Sequence, residues 1–222
     1  MASAEADNGR PLVDYIVLVA LWSCATGMQI VLFSWLVVGE LGAAPEVVGL
    51  VEMARTAPIL AFLLLGGAAA DRWNRRHLLM GLHLATGVLA AGLAFVVSAG
   101  LLSLAVLVAY ALAMGLLTAF VLPARDAFLS DVAGGQLMRG ATALTLTQFG
   151  AQAVGTLIAG TAQVLEIGPA LFIMAALLLV GSLAAWRLPR PAPSPAPAAG
   201  RTSSAPACAR CWIQPRCAPP CC

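Results

Sequence analysis

Charged residues are scarce in this chain, and lysine is absent from it. Charged residues make up 10% of the 222 amino acids and hydrophobic residues 61%, whereas a soluble globular domain carries about 25% charged residues. The chain therefore lacks the polar surface that keeps a monomeric domain in water. All 12 basic residues are arginines and the net charge is +2, so no basic face predicts binding to nucleic acid.

Histidine is also rare, which bears on catalysis. The chain has two histidines, and His83 stands alone in an apolar run, where a hydrogen-bonded core residue is the expected role. The sequence offers neither a His/Asp/Glu cluster nor a Ser/His/Asp set of the kind that an active site needs. We therefore predict that the protein is not an enzyme and uses no cofactor or metal.

Long apolar segments are abundant. They cover roughly residues 13–38, 47–70, 77–99, 101–123, 141–164 and 168–187. Each can cross a hydrocarbon core of about 30 Å as a helix that rises about 1.5 Å per residue, whereas a membrane barrel would show short alternating strands. The sequence therefore predicts an all-α integral membrane protein with six transmembrane helices, as a bundle over residues 12–188.

The arginines predict the orientation of the bundle. Eleven of the twelve lie at the N-terminus, after the second, fourth and sixth apolar runs, or in the C-terminal segment, and Arg55 lies within the second run. The other connections contain no basic residue, and their charged residues are Glu40, Glu46 and Glu166. Because basic residues stay on the cytoplasmic side, we predict a multi-pass protein of the plasma (inner) membrane. Both termini, including residues 1–11, would then be cytoplasmic.

Residues 189–222 differ from the rest. They are rich in Pro, Ala and Cys and begin with a polyproline-like linker, so we predict a disordered tail. Four thiolates could bind zinc, but the spacing matches no common zinc finger. Reduced cytoplasmic thiols also make disulfides unexpected. Five of the six cysteines lie here, Cys208, Cys211, Cys217, Cys221 and Cys222.

The turn between the second and third runs carries the most specific motif. It reads Gly67-Ala-Ala-Ala-Asp71-Arg72-Trp73-Asn74-Arg75-Arg76. The pattern G-x-x-x-D-R-x-(G/N)-R-R resembles the loop between transmembrane helices 2 and 3 of the major facilitator superfamily of transporters. Asn74 stands where the family often has Gly, and Asn is among the few other residues that tolerate a left-handed turn conformation, so the replacement is conservative for the backbone. A plain positive-inside loop would explain the arginines but not Gly67 and Asp71 at this spacing. The resemblance implies a conformational latch formed by Gly67, Asp71, Arg72, Asn74, Arg75 and Arg76.

Two further segments resemble exporters of the branch that includes the enterobactin exporter and macrolide efflux proteins. After helix 4, Leu122-Pro123-Ala124-Arg125 resembles a P-A-R motif. We expect Pro123 to end the helix and Arg125 to be the first cytoplasmic charge; the simpler alternative is a helix stop with an anchoring charge. Gly155 and Gly160 resemble the helix 5 motif of exporters, with Thr156 in place of its proline.

Polar residues inside the apolar runs are candidates for a substrate cavity. These are Gln29, Glu52, Arg55 and Gln152. Charged residues within membranes usually face a cavity or the bundle interior, and Glu52 lies three residues before Arg55, which suits an ion pair on one helix face. The alternatives are a purely structural ion pair and ordinary hydrogen bonds between helices.

The resemblance implies one half of a transporter. Such a half has two three-helix inverted repeats, with substrate contacts on helices 1, 2, 4 and 5. We predict a proton-coupled antiporter for efflux of small amphipathic molecules. Its partners would be the lipid bilayer, a small-molecule substrate and a second six-helix half, from another copy or a separate chain. The alternative is a non-transporting membrane subunit or an inactive truncated product.

Overall fold

A computed structural model describes the backbone of residues 2–133, 137–165 and 167–187. It describes the side chains of residues 13–70, 73–129, 138, 140–161 and 167–186. The predicted all-helical fold is confirmed for these residues. The helices are α1 (Ala2–Trp35), extended by a short π-helical turn (Leu36–Glu40), α2 (Pro45–Arg72), α3 (Arg75–Ser98), α4 (Leu104–Ala133), α5 (Leu137–Leu165) and α6 (Ile167–Arg187).

Within the described residues, five helices are long and apolar enough to cross a membrane. These segments are Val13–Glu40, Pro45–Ala70, Arg75–Ser98, Leu104–Leu129 and Ile167–Trp186. Helix α5 is equally long but less apolar, because eight threonines and glutamines lie between residues 141 and 164. The sixth span, in α5, therefore remains a prediction.

Short connections with specific backbone chemistry separate the helices. Gly42 and Gly100 have φ angles of 58° and 68°, a left-handed conformation that glycine adopts without a steric penalty. Pro45 opens α2 in the first turn, where its missing N–H leaves no helical bond unmade. The Ser103 hydroxyl accepts a hydrogen bond from the Val106 amide before α4. These residues set the ends of the helices close to the predicted limits.

The prediction that Pro123 ends helix 4 is wrong, because α4 continues to Ala133. A proline inside a helix removes the hydrogen bond to the carbonyl four residues earlier, here that of Ala119. In the fold, Gly66 of α2 packs directly against that carbonyl oxygen. The missing side chain lets α2 approach this oxygen, which has lost its helical donor, and neighbouring helices can make such a break tolerable in a membrane helix.

Glycine–carbonyl contacts also join two of the three most extensively packed helix pairs. These two pairs are α2 with α4 and α1 with α5, and the third extensive pair is α3 with α6. Gly27 meets the Gln152 carbonyl and Gly155 the Cys24 carbonyl, while Gly115 meets the Arg55 carbonyl. A Cβ at any of these positions would overlap the oxygen. Small residues therefore set the spacing between helices, as is expected where lipid supplies no hydrophobic drive for association.

Two apolar clusters form the core. The larger one joins all six helices. The smaller one contains Tyr15, Leu79 and Phe128 and gathers the end of the bundle where α1, α3 and α5 begin and α2, α4 and α6 end. The loop between α2 and α3 lies at this same end. The buried polar residues lie outside these two apolar clusters, and some of them border a cavity.

Candidate functional site

A polar cavity of about 140 Å³ lies between α1, α2, α4 and α5. It is much smaller than the roughly 300–1,000 Å³ sites that enclose drug-sized ligands, so it suits one functional group of a larger molecule. Its walls mix apolar and polar side chains. The lining residues are Trp22, Ser23, Thr26 and Gln29 of α1, Arg55 of α2, Met114, Thr118, Leu122 and Arg125 of α4, and Gln148 and Gln152 of α5.

Close helix packing positions the cavity walls. Gly27 and Gly115 allow α5 and α2 to approach α1 and α4 at the carbonyls of Gln152 and Arg55. The side chains of Gln152 and Arg55 then line the cavity beside those contacts. On α4, the lining residues recur every three or four positions, which is the spacing of a single helix face.

The predicted pairing of Glu52 with Arg55 is present in the structure. The Arg55 Nε and Nη2 both lie 2.8 Å from Glu52 Oε2. Such charge-assisted contacts are the stronger class of hydrogen bond. Arg55 lines the cavity, and Glu52 reaches it through this pair rather than as a lining residue. A cavity wall therefore carries an arginine whose charge is balanced by an adjacent carboxylate.

Arg125 lies elsewhere than predicted. We expected the first cytoplasmic charge after helix 4, but Arg125 is 9% exposed and lines the cavity. The reason is that α4 passes through Pro123 without ending, which keeps Arg125 on the inward face. The buried Tyr15 hydroxyl donates a hydrogen bond of 2.7 Å to the Arg125 carbonyl. This contact joins the backbone of α4 at Arg125 to α1.

The predicted glutamines also meet at the cavity. Gln29 and Gln152 both line it, together with Gln148. Their role in binding a substrate remains a prediction. The sequence reasoning missed Ser23, Thr26 and Thr118. Hydroxyl residues at helical spacing on the face that carries Gln29 were the signal that could have found the first two.

The loop between α2 and α3 ties three helices together. Arg75 Nη1 donates to the Ala127 carbonyl of α4 at 3.1 Å, and Arg76 Nη2 donates to the Trp186 carbonyl of α6. Asn74 does not use the left-handed conformation that asparagine tolerates: it has φ −64° and ψ 109°, and its side chain accepts a hydrogen bond from the Arg76 amide as the N-cap of α3. An asparagine cap uses extended backbone. The side chains of Asp71 and Arg72 lie outside the described residues.

The glycines of the sequence motifs divide into two kinds. Gly66 and Gly155 pack against neighbouring helices, whereas a Cβ added at Gly67 or Gly160 would meet no atom of the described residues within 4 Å. The close approach at this end of α2 is therefore made by Gly66 and not by Gly67 of the motif. Helix rotation decides which of two adjacent glycines faces a partner, and sequence spacing alone does not reveal it.

Other expectations concern residues outside the cavity. His83 is buried, with Nδ1 2.9 Å from the Leu79 carbonyl oxygen and its ring 5.0 Å from that of Trp22. No group of three or more His, Cys, Asp or Glu side chains suited to a metal occurs in the part of the chain that the structure describes. The predicted cysteine-rich tail lies outside that part.

Comparison with known proteins identifies the family. No curated protein matches the chain, and no solved structure matches it. The sequence profile of the Major Facilitator Superfamily matches residues 16–219, which is most of the 222 residues. That match covers every helix bordering the cavity. The chain therefore belongs to the Major Facilitator Superfamily, a family of transmembrane transporters.

Proposed function

We propose that this chain is the N-terminal six-helix half of a proton-coupled exporter of small amphipathic molecules. The observation that carries the proposal is the polar cavity between α1, α2, α4 and α5. In transporters built from helical repeats, substrate sites lie between such helices near the middle of the membrane. Transport, rather than catalysis, is what the family does, and the cavity supplies a place for a solute.

The walls of the cavity suit an amphipathic solute. Trp22, Met114 and Leu122 offer apolar contact surface, while Gln148 and Gln152 offer amide donors and acceptors. Polar groups that converge on one cavity fix the orientation of a ligand. A molecule with one polar end would place that end in the cavity and its apolar part against the aromatic and aliphatic side chains.

Proton coupling would use the Glu52–Arg55 pair. A carboxylate beside a cavity can exchange a proton with solvent when the cavity opens, and protonation of Glu52 would release Arg55 from its 2.8 Å contact. The released guanidinium group could then act on the substrate. Binding of one proton to Glu52 would therefore leave one additional positive charge, that of Arg55, in the cavity wall.

Hydrogen bonds at the helix ends support the proposed conformational latch, and sequence motifs support the proposed direction of transport. The hydrogen bonds from Arg75 and Arg76 join the start of α3 to carbonyls of α4 and α6, and in the proposed latch their release would accompany opening. Export rather than import rests on the resemblance of the segments at Pro123 and Gly155 to those of exporters. We place this end of the bundle, and both termini, on the cytoplasmic side of the plasma membrane because of the arginine distribution.

Alternating access requires a second six-helix bundle, as in related transporters with two halves. We propose that a second copy of this chain supplies it, so that the chain reconstituted alone should be sufficient for transport. We also infer two three-helix inverted repeats, because exchanging α1–α3 with α4–α6 turns the α1/α5 contact into the α4/α2 contact, and both contacts are extensive.

Efflux from proteoliposomes tests the proposal. The full chain is reconstituted in vesicles loaded with radiolabelled benzenesulfonate or phenyltrimethylammonium, two permanently charged amphipathic probes. We expect an acidic external medium to accelerate release of at least one probe, and a protonophore to remove the acceleration. Glu52→Gln should remove it as well, whereas Glu46→Gln, on the exposed first turn of α2, should not. Release of both probes at the rate of protein-free vesicles would overturn the proposal.

A further inference from the structure

We propose that the cavity binds the anionic group of an organic anion, with Arg125 and Gln29 as its principal donors. This inference deepens the proposed function and rests on it for the statement that the anion is transported. The substrate class is a small amphipathic molecule with one negative charge, such as a carboxylate or a sulfonate.

Buried donors without acceptors are the first reason. Gln29 is 7% exposed and Arg125 9% exposed, and both line the cavity. Gln29 Nε2 and Arg125 Nε are buried and have no hydrogen-bond partner among the described residues. Buried polar atoms are rarely left unpaired, because the lost hydrogen bond with water is not replaced. Two such donors at one cavity indicate a missing acceptor.

The charge of the cavity is the second reason. Its lining contains two arginines and no acidic residue. Glu52 balances Arg55 through their ion pair, which leaves Arg125 as one positive charge in the wall. A buried charge is unfavourable unless it is paired. A bound anion would provide that pair, whereas a cation would add a second positive charge next to the first.

Asp126 follows Arg125 in the chain, but its carboxylate does not pair with Arg125 inside the cavity. Its carboxylate oxygen lies 3.7 Å from Arg125 Nε, which is longer than a hydrogen bond, and its side chain is 69% exposed. Asp126 is not a lining residue. Asp126 therefore leaves Arg125 Nε without a hydrogen-bond acceptor.

The composition of the wall favours an organic anion over an inorganic one. Trp22 and Leu122 border the same cavity as Arg125, so a ligand with an apolar part gains contact surface that a bare ion cannot use. The cavity volume of about 140 Å³ suits the charged end of the molecule. The apolar part would extend along the helix face beyond it.

Binding to the full chain in nanodiscs of zwitterionic lipid, measured by isothermal titration calorimetry, tests the inference. The probes are benzenesulfonate, its neutral analogue benzenesulfonamide and the cation phenyltrimethylammonium. We expect benzenesulfonate to bind at least tenfold more tightly than the other two, and chloride at equal concentration not to displace it. This comparison needs no variant. Equal or tighter binding of the neutral or cationic probe, or full displacement by chloride, would overturn the assignment.

Variants locate the site. Arg125→Gln should weaken benzenesulfonate binding about 10- to 100-fold, the range for loss of a charge-assisted hydrogen bond. Arg125→Lys, which keeps the charge, should recover part of the loss. Asp126→Asn is the matched control: it removes the neighbouring carboxylate and should leave binding unchanged or tighter. Gel filtration and circular dichroism confirm folding of each variant. Unchanged affinity in folded Arg125→Gln would contradict the inference.

The binding and efflux measurements separate this inference from the proposed function. If phenyltrimethylammonium alone binds and is exported, the chain is a transporter but its site is not anionic. If benzenesulfonate binds through Arg125 and no probe crosses the vesicle membrane, the anion site is present and the transport proposal fails.

Discussion

The two adjacent glycines of α2 provide a sharp test of the packing. A methyl group at Gly66 would overlap the Ala119 carbonyl oxygen, whereas one at Gly67 would meet nothing within 4 Å in the described structure. Alanine at either position gains up to about 1 kcal/mol of helix propensity, and this gain is common to both variants. The overlap at Gly66 adds about 1–3 kcal/mol of overpacking. The difference in the free energy of unfolding between the variants is therefore about 1–3 kcal/mol.

Thermal unfolding of the purified full chain in mild detergent measures this difference. One kcal/mol shifts the midpoint of a domain of this size by about 2–4 °C, so Gly66→Ala should melt about 2–12 °C below Gly67→Ala. Tryptophan fluorescence reports the transition. Equal midpoints, or a lower midpoint for Gly67→Ala, would refute the assignment of faces. The pair Gly155→Ala and Gly160→Ala repeats the comparison in α5, with the lower midpoint expected for Gly155→Ala.

Three further predictions concern the ion pair, the latch and the orientation. Glu52→Gln should lower expression because it leaves the half-buried Arg55 unpaired within an apolar helix, and adding Arg55→Gln should recover much of the loss; additive losses in this double-mutant cycle would show that the groups do not interact. Asp71→Asn should reduce the turnover in the vesicle efflux assay much more than it reduces membrane insertion measured by fractionation, and equal turnover in variant and parent would leave only a positive-inside loop. A cysteine at Asn74 should be shielded from an impermeant external thiol reagent and one at Ala43 should react, each in a chain whose other cysteines are replaced; the opposite labelling would reverse the orientation.

Much of the fold followed from local patterns in the sequence. Apolar runs of sufficient length predicted the helices, and the structure places α3 at Arg75–Ser98 and α6 at Ile167–Arg187, within a few residues of the expected limits. Helix formation depends mainly on the residues of the segment itself, so the composition of a segment is enough to predict a helix there. The membership of the family was also visible, because the turn after α2 contains charged residues at a specific spacing.

Local patterns failed where a neighbouring helix changes the outcome. Pro123 is a helix breaker by its own chemistry, yet α4 passes through it because α2 packs Gly66 against the freed carbonyl. Asn74 suited a left-handed turn, yet the start of α3 uses it as an N-cap in extended backbone. In both cases, the partner of a backbone group decides the conformation.

By itself, the sequence determined that this chain is helical, where five segments apolar enough for a membrane lie, and which polar residues lie inside those segments. Only the tertiary structure decided that Gln29, Arg55 and Gln152 line one cavity and that Arg125 joins them instead of facing the cytoplasm. The physical reason is that hydrophobicity and helix propensity are properties of consecutive residues, which the sequence shows directly. The rotation and spacing of each helix instead depend on contacts between segments far apart in sequence, such as Gly115 with Arg55.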